Sequence, residues 1–356
     1  MYQLQTSMNT ITDIYGANML QRSKKIWLVL DSSGFGGIES HVEQLALGLS
    51  NAHNRVSVVF LKDYGHHPLE SRLLFSGLNC IMLDGCITSL RYFLKKETPD
   101  VIHTHGYKAG ILMRPISRLM GITCASTFHS GEHKDGKLQW YDLLDRYTAF
   151  LANHVYAISS PILSTIPCTA KLTDNFVSIQ SLSPSFGNQV AFVGRLSKEK
   201  GPERFLHFAK IFPLIDFHLY GDGPMRKQLE RNGPKNLKFH GLQVEMRNIW
   251  PHIGLLVVPS RSEGLPMSAL EAMAHGIPVV AFNVGSLDQL IQHGMNGWLV
   301  KQSDLTSMAS VIHHWNESNE NQRAQWRKDA ITTIQERYST EKVVPQLLED
   351  YATSAK

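Results

Sequence analysis

The sequence predicts an α/β chain of two doubly wound domains that face each other across a cleft. Three observations carry this expectation. Short aliphatic runs alternate with amphipathic ones from residue 24 onward, which is the order of βαβ units and hence of a parallel sheet with helices on both faces. The alternation lapses between about 160 and 188, a stretch rich in Ser, Pro and Thr, and then restarts. A length of 356 residues suffices for about two domains, each with its own core.

In the first half, "KKIWLVLDS", "RVSVVFLKD", "NCIMLDG", "DVIHTHG" and "ITCASTFHS" read as strands. The helical patterns are "IESHVEQLALGLSNA", "ITSLRYFLKKE" and "AGILMRPISRLMG". In the second half, "QVAFVGRL", "DFHLYGDG", "LKFHGL", "GLLVVPS", "IPVVAF" and "GWLV" are strands separated by helical patterns. From about residue 304 the chain reads as helical. The expected division is an extension at 1–23, a first domain at 24–185, a second at 186–335 and a last helix at 336–356.

Composition narrows the function classes. Hydrophobic residues make up 43% and charged residues 19%, as in a globular chain. The net charge of +4 is spread evenly: 16 Lys/Arg against 14 Asp/Glu in residues 1–178, and 19 against 17 after them. No basic arm or stripe argues for nucleic acid. The four cysteines (Cys80, Cys86, Cys124, Cys168) have no CxxC spacing and read as reduced thiols, the usage of a cytoplasmic protein. The first 23 residues are polar and lack the apolar core of a signal peptide, so a mobile extension is expected. No run of 18 apolar residues is present to span a membrane.

In open α/β sheets, ligands bind at the carboxyl ends of the strands, so the residues there come first. "SRSEGLPMSALEAMAHGIPVVAF" (260–282) joins two strands through a turn and a helix, with Glu263 in the turn and Glu271 in the helix. Pro266 is expected at the first helical position, where its missing N–H costs nothing. The amides around Gly264, Leu265 and Met267 then lie at a positive helix end suited to an anion. Acids beside such a site would repel an anion, but they can accept hydrogen bonds from sugar hydroxyls. A ligand with a diol, a diphosphate and a second diol satisfies the whole element, and nucleotide sugars have that shape. Taken alone, the two acids also read as a helix-dipole partner and a solvated helix residue. A second segment, "FVGRLSKEKGPERFL", places Arg195 and Lys200 after the first strand of the second half. Two cations at a strand's carboxyl end make a diphosphate clamp; otherwise they are a solvated loop.

Together, the E-x(7)-E element, "FVGRLSKEKG", "YGDGP" at 220–224 and the early "GFGGIESHVEQLA" resemble a retaining glycosyltransferase of family 4. The resemblance runs from about residue 24 to 350. It implies the GT-B fold, two facing Rossmann-like domains with a C-terminal helix crossing back to the first. It also implies transfer from a nucleotide-diphospho-sugar, with no cofactor and no metal. Carried onto this chain, it gives Glu263 the donor-sugar hydroxyls, Glu271 the ribose, and Arg195 and Lys200 the diphosphate. The amides of Gly264 and Leu265 would help at the sugar and phosphate. Gly36 and Gly37 would approach the donor from the first domain, where close backbone approach suits residues without a Cβ. His129, at the end of "ITCASTFH", would lie beside the donor sugar, unless it is a hydrogen-bonded structural histidine.

The remaining features are weaker. His103 and His105 of "HTHG" share a strand face, as any i and i+2 pair does, and no third metal ligand stands near them in sequence. They are expected on the acceptor side of the cleft. "GFGG" at 34–37 lacks the third glycine of a dinucleotide loop. "SLRYFLKKE" and "KAGILMRPISRLMG" are ordinary helices with one solvated face, or else shallow contacts with anionic lipid. The connection "DNFVSIQSLSPSFGN" departs from the Asn-Gly-Val/Ile-Asp turn that the family often carries after an Ile/Val-Pro pair, and is expected to be shortened.

The resulting expectation is a retaining, metal-independent transferase using a nucleotide-diphospho-sugar, with UDP as the nucleotide. Its acceptor would be a glycan or a lipid-linked glycan of a bacterial surface polysaccharide, reached at the inner face of the membrane. A nucleotide-sugar epimerase of the same fold and a noncatalytic glycan-binding relative are the alternatives.

Overall fold

The computed structural model describes residues 23–129, 137–180, 182–243 and 245–353. All of the expected N-terminal extension except Ser23 lies outside the described residues.

The first domain runs β1 (Lys25–Leu30), α1 (Gly37–Asn51), β2 (Arg55–Phe60), α2 (Pro68–Phe75), β3 (Asn79–Met82), α3 (Ile87–Glu97), β4 (Val101–His105), α4 (Tyr107–Met120), β5 (Thr123–Phe128), α5 (Lys137–Tyr147), β6 (His154–Ala157) and β7 (Lys171–Leu172). Its seven parallel strands are ordered β3-β2-β1-β4-β5-β6-β7. β1 and β4 are buried along nearly their whole length, as strands covered on both faces must be. The last two strands have no counterpart in the sequence reading. "HVYA" is too short to show a period, and the two-residue β7 sits at the sheet edge.

The second domain runs β8 (Gln189–Val193), α6 (Pro202–Ile211), β9 (Phe217–Tyr220), α7 (Arg226–Asn232), β10 (Leu237–Gly241), β11 (Ile253–Val258), α8 (Met267–Ala274), β12 (Val279–Phe282) and β13 (Gly297–Val300). Its strand order is β10-β9-β8-β11-β12-β13. In each domain the order reverses beside the first strand, between β1 and β4 and between β8 and β11. Those are the switch points where loops part to leave a ligand crevice.

The tail follows as α9 (Leu305–Asn316), α10 (Glu320–Thr333), a π-helical turn and α11 (Thr340–Ala352). Helix α11 returns to the first domain, where Val343, Val344, Leu347 and Tyr351 join the core between α1 and the sheet. Gly48 of α1 permits that crossing: a Cβ there would stand 2.8 Å from a Val344 methyl. The chain thus crosses between domains twice, and the crossings are bonded together. Val177 N–H donates to Tyr338 O (2.9 Å), and Thr340 N–H donates to Val177 O (3.1 Å).

Candidate active site

Of the residues expected on the donor side, Arg195 and Lys200 follow the carboxyl end of β8 and Glu263 that of β11. Arg195 is exposed in the loop after β8, and its guanidinium has no hydrogen bond or ion pair among the described residues. Lys200 reaches from the same loop to Glu263, its Nζ 2.6 and 2.8 Å from the two carboxylate oxygens. Ser260 Oγ donates to the same carboxylate at 2.6 Å. Glu263 is almost fully buried, at 6% side-chain exposure, while Lys200 keeps 31%. The two residues given to sugar and diphosphate therefore neutralise each other. Among like-placed ions this is the expected arrangement, because a lone buried carboxylate would be costly.

The turn after Glu263 is locked from both sides. Gly264 O accepts from Ser286 N–H (3.0 Å), and Leu265 O accepts from the Asn175 side chain (2.6 Å). Gly285 makes the approach possible, with φ of +64° and room for no Cβ, which would fall 2.2 Å from Glu263 O. Pro266 differs from expectation. It is the extended residue before α8 (φ −71°, ψ 128°), not the first helical one, and its carbonyl accepts from Ala269 and Leu270. With no N–H to lose, proline fits that capping place as well as the next.

Glu271 projects from α8 toward the other domain. Ser40 Oγ of α1 donates to its Oε1 at 2.7 Å. Burial raises its pKa above the ordinary carboxylate value, against the opposing hydrogen bond from Ser40. Gly36 and Gly37 open α1 close by. Gly36 is extended (φ −157°), with a Cβ position 3.3 Å from the flexible Glu39 carboxylate, and Gly37 has nothing within 4 Å of its own, so packing among the described residues demands neither glycine.

Across the cleft lies a cavity of about 110 Å³ at the ends of β1, β4 and β5. His105 and His129 line it, with Asp31, Glu39, Tyr107 and Lys108 among the other walls. None of Arg195, Lys200, Glu263 or Glu271 does. The cavity belongs wholly to the first domain. Asp31 is ion-paired with Lys108. Behind the cavity, Arg114 is buried and paired with Asp145 (2.9 Å), its Nε donating to Ser126 (2.8 Å).

His129 follows β5 directly and shares a hydrogen bond with His105, Nδ1 to Nε2, at 3.0 Å. His41, a residue of α1 that the sequence reading did not single out, stands edge-on to His129 with ring centroids 4.7 Å apart. Burial, with neighbouring imidazoles adding to it, holds His105 and His129 well below the ordinary histidine value, and burial holds His41 at about 4. All three are neutral at pH 7. His103 is placed otherwise than expected. It turns inward and bonds Tyr351 Oη (2.6 Å) and Thr127 Oγ1 (2.7 Å), so it is part of the α11 packing and not of the cavity wall. Strand alternation alone could not tell the cleft-facing end of β4 from the part that α11 covers.

One nitrogen from each of His41, His105 and His129 lies within 4.8 Å of the others. A tetrahedral ion with bonds of 2.0–2.1 Å needs nitrogens about 3.3 Å apart. The 3.0 Å pair has the length of a hydrogen bond, and the rings would have to shift before the set could cage an ion. His105 Nε2 is buried with no hydrogen-bond partner, which leaves a polar atom among the residues lining the cavity.

Residues 35–166 match the family described as Glycosyltransferase Family 4, and residues 176–333 match Glycosyl transferases group 1. The two matches fall on the two sheets. The chain is a family 4 glycosyltransferase. It is 29% identical over 266 residues to the UDP-Gal:alpha-D-GlcNAc-diphosphoundecaprenol alpha-1,3-galactosyltransferase of Escherichia coli, covering 64% of this chain and 68% of that one. It is 23% identical to the O-antigen biosynthesis glycosyltransferase WbnH of Escherichia coli, over 79% and 87% of the two chains. Among solved structures, the glycosyltransferase fold is shared with Anabaena Alr3699/HepE in complex with UDP and glucose. That likeness has a TM-score of 0.79 at 20% identity, covering 93% of this chain and all of that one. This transferase therefore has the GT-B architecture, with Glu263, Glu271, Arg195 and Lys200 on one wall of the cleft and His129 on the other.

Proposed function

We propose that the chain is a retaining, metal-independent transferase that moves a sugar from a UDP-sugar to a glycan or lipid-linked glycan in surface-polysaccharide assembly. The observation that carries this reading is the division of the cleft. Cations, paired acids and a locked turn stand at the β8/β11 switch point, and an acid- and imidazole-lined cavity stands opposite, at β1/β4.

In this reading Glu271 accepts the ribose hydroxyls and Glu263 the hydroxyls of the sugar. Arg195 and Lys200 hold the diphosphate, with the Gly264 and Leu265 amides beside it. Gly36 and Gly37 close from the other domain. Of the carboxylates lining the first-domain cavity, Asp31 is ion-paired with Lys108 and Asp145 with Arg114, and this reading assigns no carboxylate the part of a nucleophile. The leaving phosphate then takes the proton of the attacking hydroxyl on the same face that it departs from, and His129 contacts the sugar. His105 lines the acceptor cavity behind it.

The relatives are transferases, which does not favour the epimerase alternative. A lipid-linked acceptor requires the cleft to sit near a membrane surface. Among the described residues no helix is long and apolar enough to cross one. Contact at the surface suits α5, where Trp140, Leu143, Leu144 and Tyr147 are exposed at i, i+3, i+4 and i+7. It suits α4 less, because Arg114 there is buried.

The test is product analysis with a panel of UDP-sugars and lipid-diphosphate-linked acceptors, read by proton NMR at the new anomeric centre. Retention with UDP released only when acceptor is present supports the reading. An inverted centre, or turnover of the donor without any transfer, overturns it.

A further inference from the structure

Asn175 touches both walls of the cleft. It lies two residues before Val177, where the chain's two crossings are bonded to each other. Its side chain is buried. The amide nitrogen donates to Leu265 O in the donor turn at 2.6 Å, and the carbonyl oxygen meets His41 Nδ1 at 3.0 Å. These two contacts define the protons. A backbone carbonyl can only accept, so the amide must face Leu265, and the side-chain oxygen is left for a donating His41 Nδ1–H. His41 is thereby held as one neutral tautomer, its ring wedged between Phe176 (centroids 5.1 Å apart) and His129 (4.7 Å).

We propose that Asn175 is a positioning residue that couples the donor turn to His129. Leu265 belongs to the second domain and His41 to the first, and Asn175 sits at the hinge between them. Rotation of one domain against the other would move Leu265 relative to His41, so the two bonds together require the interdomain arrangement of this structure. The histidine beside the sugar is then steadied only once the turn that holds the donor is in place. This rests on the assignment of His129 to the donor sugar.

The full-length enzyme, with Asn175→Ala, Asn175→Asp, His41→Gln and His129→Ala variants, is assayed for UDP release from the working donor and acceptor. UDP affinity is measured by calorimetry, and histidine tautomers by long-range ¹⁵N–¹H NMR. Asn175→Ala should lose at least tenfold in turnover while UDP affinity changes less than threefold. His41 should lose its single Nδ1–H tautomer and the His129 resonances should move. Asn175→Asp, nearly isosteric, keeps an acceptor for His41 but repels Leu265 O. Turnover should fall there too, and the acid limb of its pH profile should move upward as the carboxylate favours a charged His41. In the Asn175→Ala/His41→Gln double variant the losses should not multiply, because both sever one link. Turnover within twofold of wild type in both Asn175 variants overturns the proposal. So do losses that multiply, or parallel falls in turnover, UDP affinity and melting temperature. An inert His129→Ala with an active Asn175→Ala sinks this inference alone, whereas a fully active His129→Ala sinks the assignment beneath it as well.

Discussion

Lys200 and Glu263 form an ion pair in which one ammonium touches both carboxylate oxygens, at 2.6 and 2.8 Å. The contact joins the loop after β8 to the loop after β11, 63 residues apart. In the proposed complex the carboxylate turns to sugar hydroxyls and the ammonium to phosphate. Donor binding is then an exchange of partners, in which the diphosphate replaces Glu263 as the counter-charge of Lys200. At either stage Lys200 keeps a counter-charge and Glu263 keeps hydrogen-bond donors, which limits the desolvation cost of holding the pair at the cleft.

The exchange separates the roles of the two acids. Glu263→Ala leaves Lys200 free for phosphate, so affinity for UDP itself should stay within about threefold. Turnover should fall by about ten- to a hundredfold, for a hydrogen bond to a charged group worth about 1.5–3 kcal/mol. Glu271→Ala should weaken UDP and the intact donor alike, by a factor in the same range. Calorimetry with both ligands on both variants checks this. Equal loss of UDP by the two variants would refute the division.

Ser40 competes for Glu271. Its hydroxyl takes one acceptor site on the carboxylate that the ribose is proposed to use, and we expect the ribose to displace it. Ser40→Ala removes the competitor, and we expect UDP to bind between about two- and tenfold more tightly, from a net hydrogen-bond value of about 0.5–1.5 kcal/mol. Weaker binding would mean that Ser40 stays on Glu271 in the complex and helps to hold the cleft closed.

What the sequence made legible follows from what is local. The strands of both sheets show as aliphatic runs, because parallel strands buried on both faces need no alternation. Lys200 and Glu263 stand out through their place after strand ends, and Glu271 through its spacing from Glu263 in the helix that follows. The partners that join separate segments could not be read this way. Ser40 meets Glu271 across 231 residues and Asn175 meets His41 across 134. No period or turn signal reports such a pair. Asn175 was visible only as part of a connection lacking a familiar turn, and its hydrogen bonds give that connection a function that its composition does not show. His41 looked like one more residue of an amphipathic helix. Its wedged position depends on β4, β5 and the hinge arriving together.

The buried histidines make stability depend on acid. Burial lowers His41 to about 4 and His103 to about 3, from an ordinary value near 6.5, and His105 and His129 well below it. Between 6.5 and those lowered values the unfolded chain binds protons that the folded one refuses. Stability is therefore fully present above about pH 6.5 and is lost as pH falls toward 4, by up to about 1.4 kcal/mol per pH unit for each such group. Glu43 and Glu271 act oppositely, since burial raises both and the folded state takes up their protons first. We expect melting temperatures to be flat from pH 7.5 to 6.5 and to drop steeply by 5.5. His103→Gln, which can still bond Tyr351 and Thr127, should make that drop shallower. A melting temperature unchanged down to pH 5 would contradict the buried neutral state of these rings.

The leaving group sets the last expectation. A departing diphosphate gains charge on the oxygen that leaves the sugar, and enzymes neutralise it with a metal or with fixed cations and amides. Arg195 and Lys200 both lie in the loop after β8, and the amides of Gly264 and Leu265 lie in the turn that Lys200 meets through Glu263. Because Glu263 already holds Lys200 in this region, the ammonium has only to exchange one partner for another when the donor arrives. The charge is greater in the transition state than in the bound donor, so losing one cation should lower turnover more than donor affinity. Lys200→Ala should cost about a hundredfold or more in turnover, the effect of removing one preorganised stabiliser of about 2.7–4 kcal/mol. The same variant strands Glu263 with only Ser260 as its partner, so part of any drop in melting temperature belongs to that buried acid and must be separated by the Lys200→Ala/Glu263→Gln double variant. Wild-type activity should survive excess EDTA. Activity abolished by EDTA and restored by magnesium or manganese would show that a metal carries the charge assigned to this clamp, and a fully active Lys200→Ala enzyme would remove Lys200 from it.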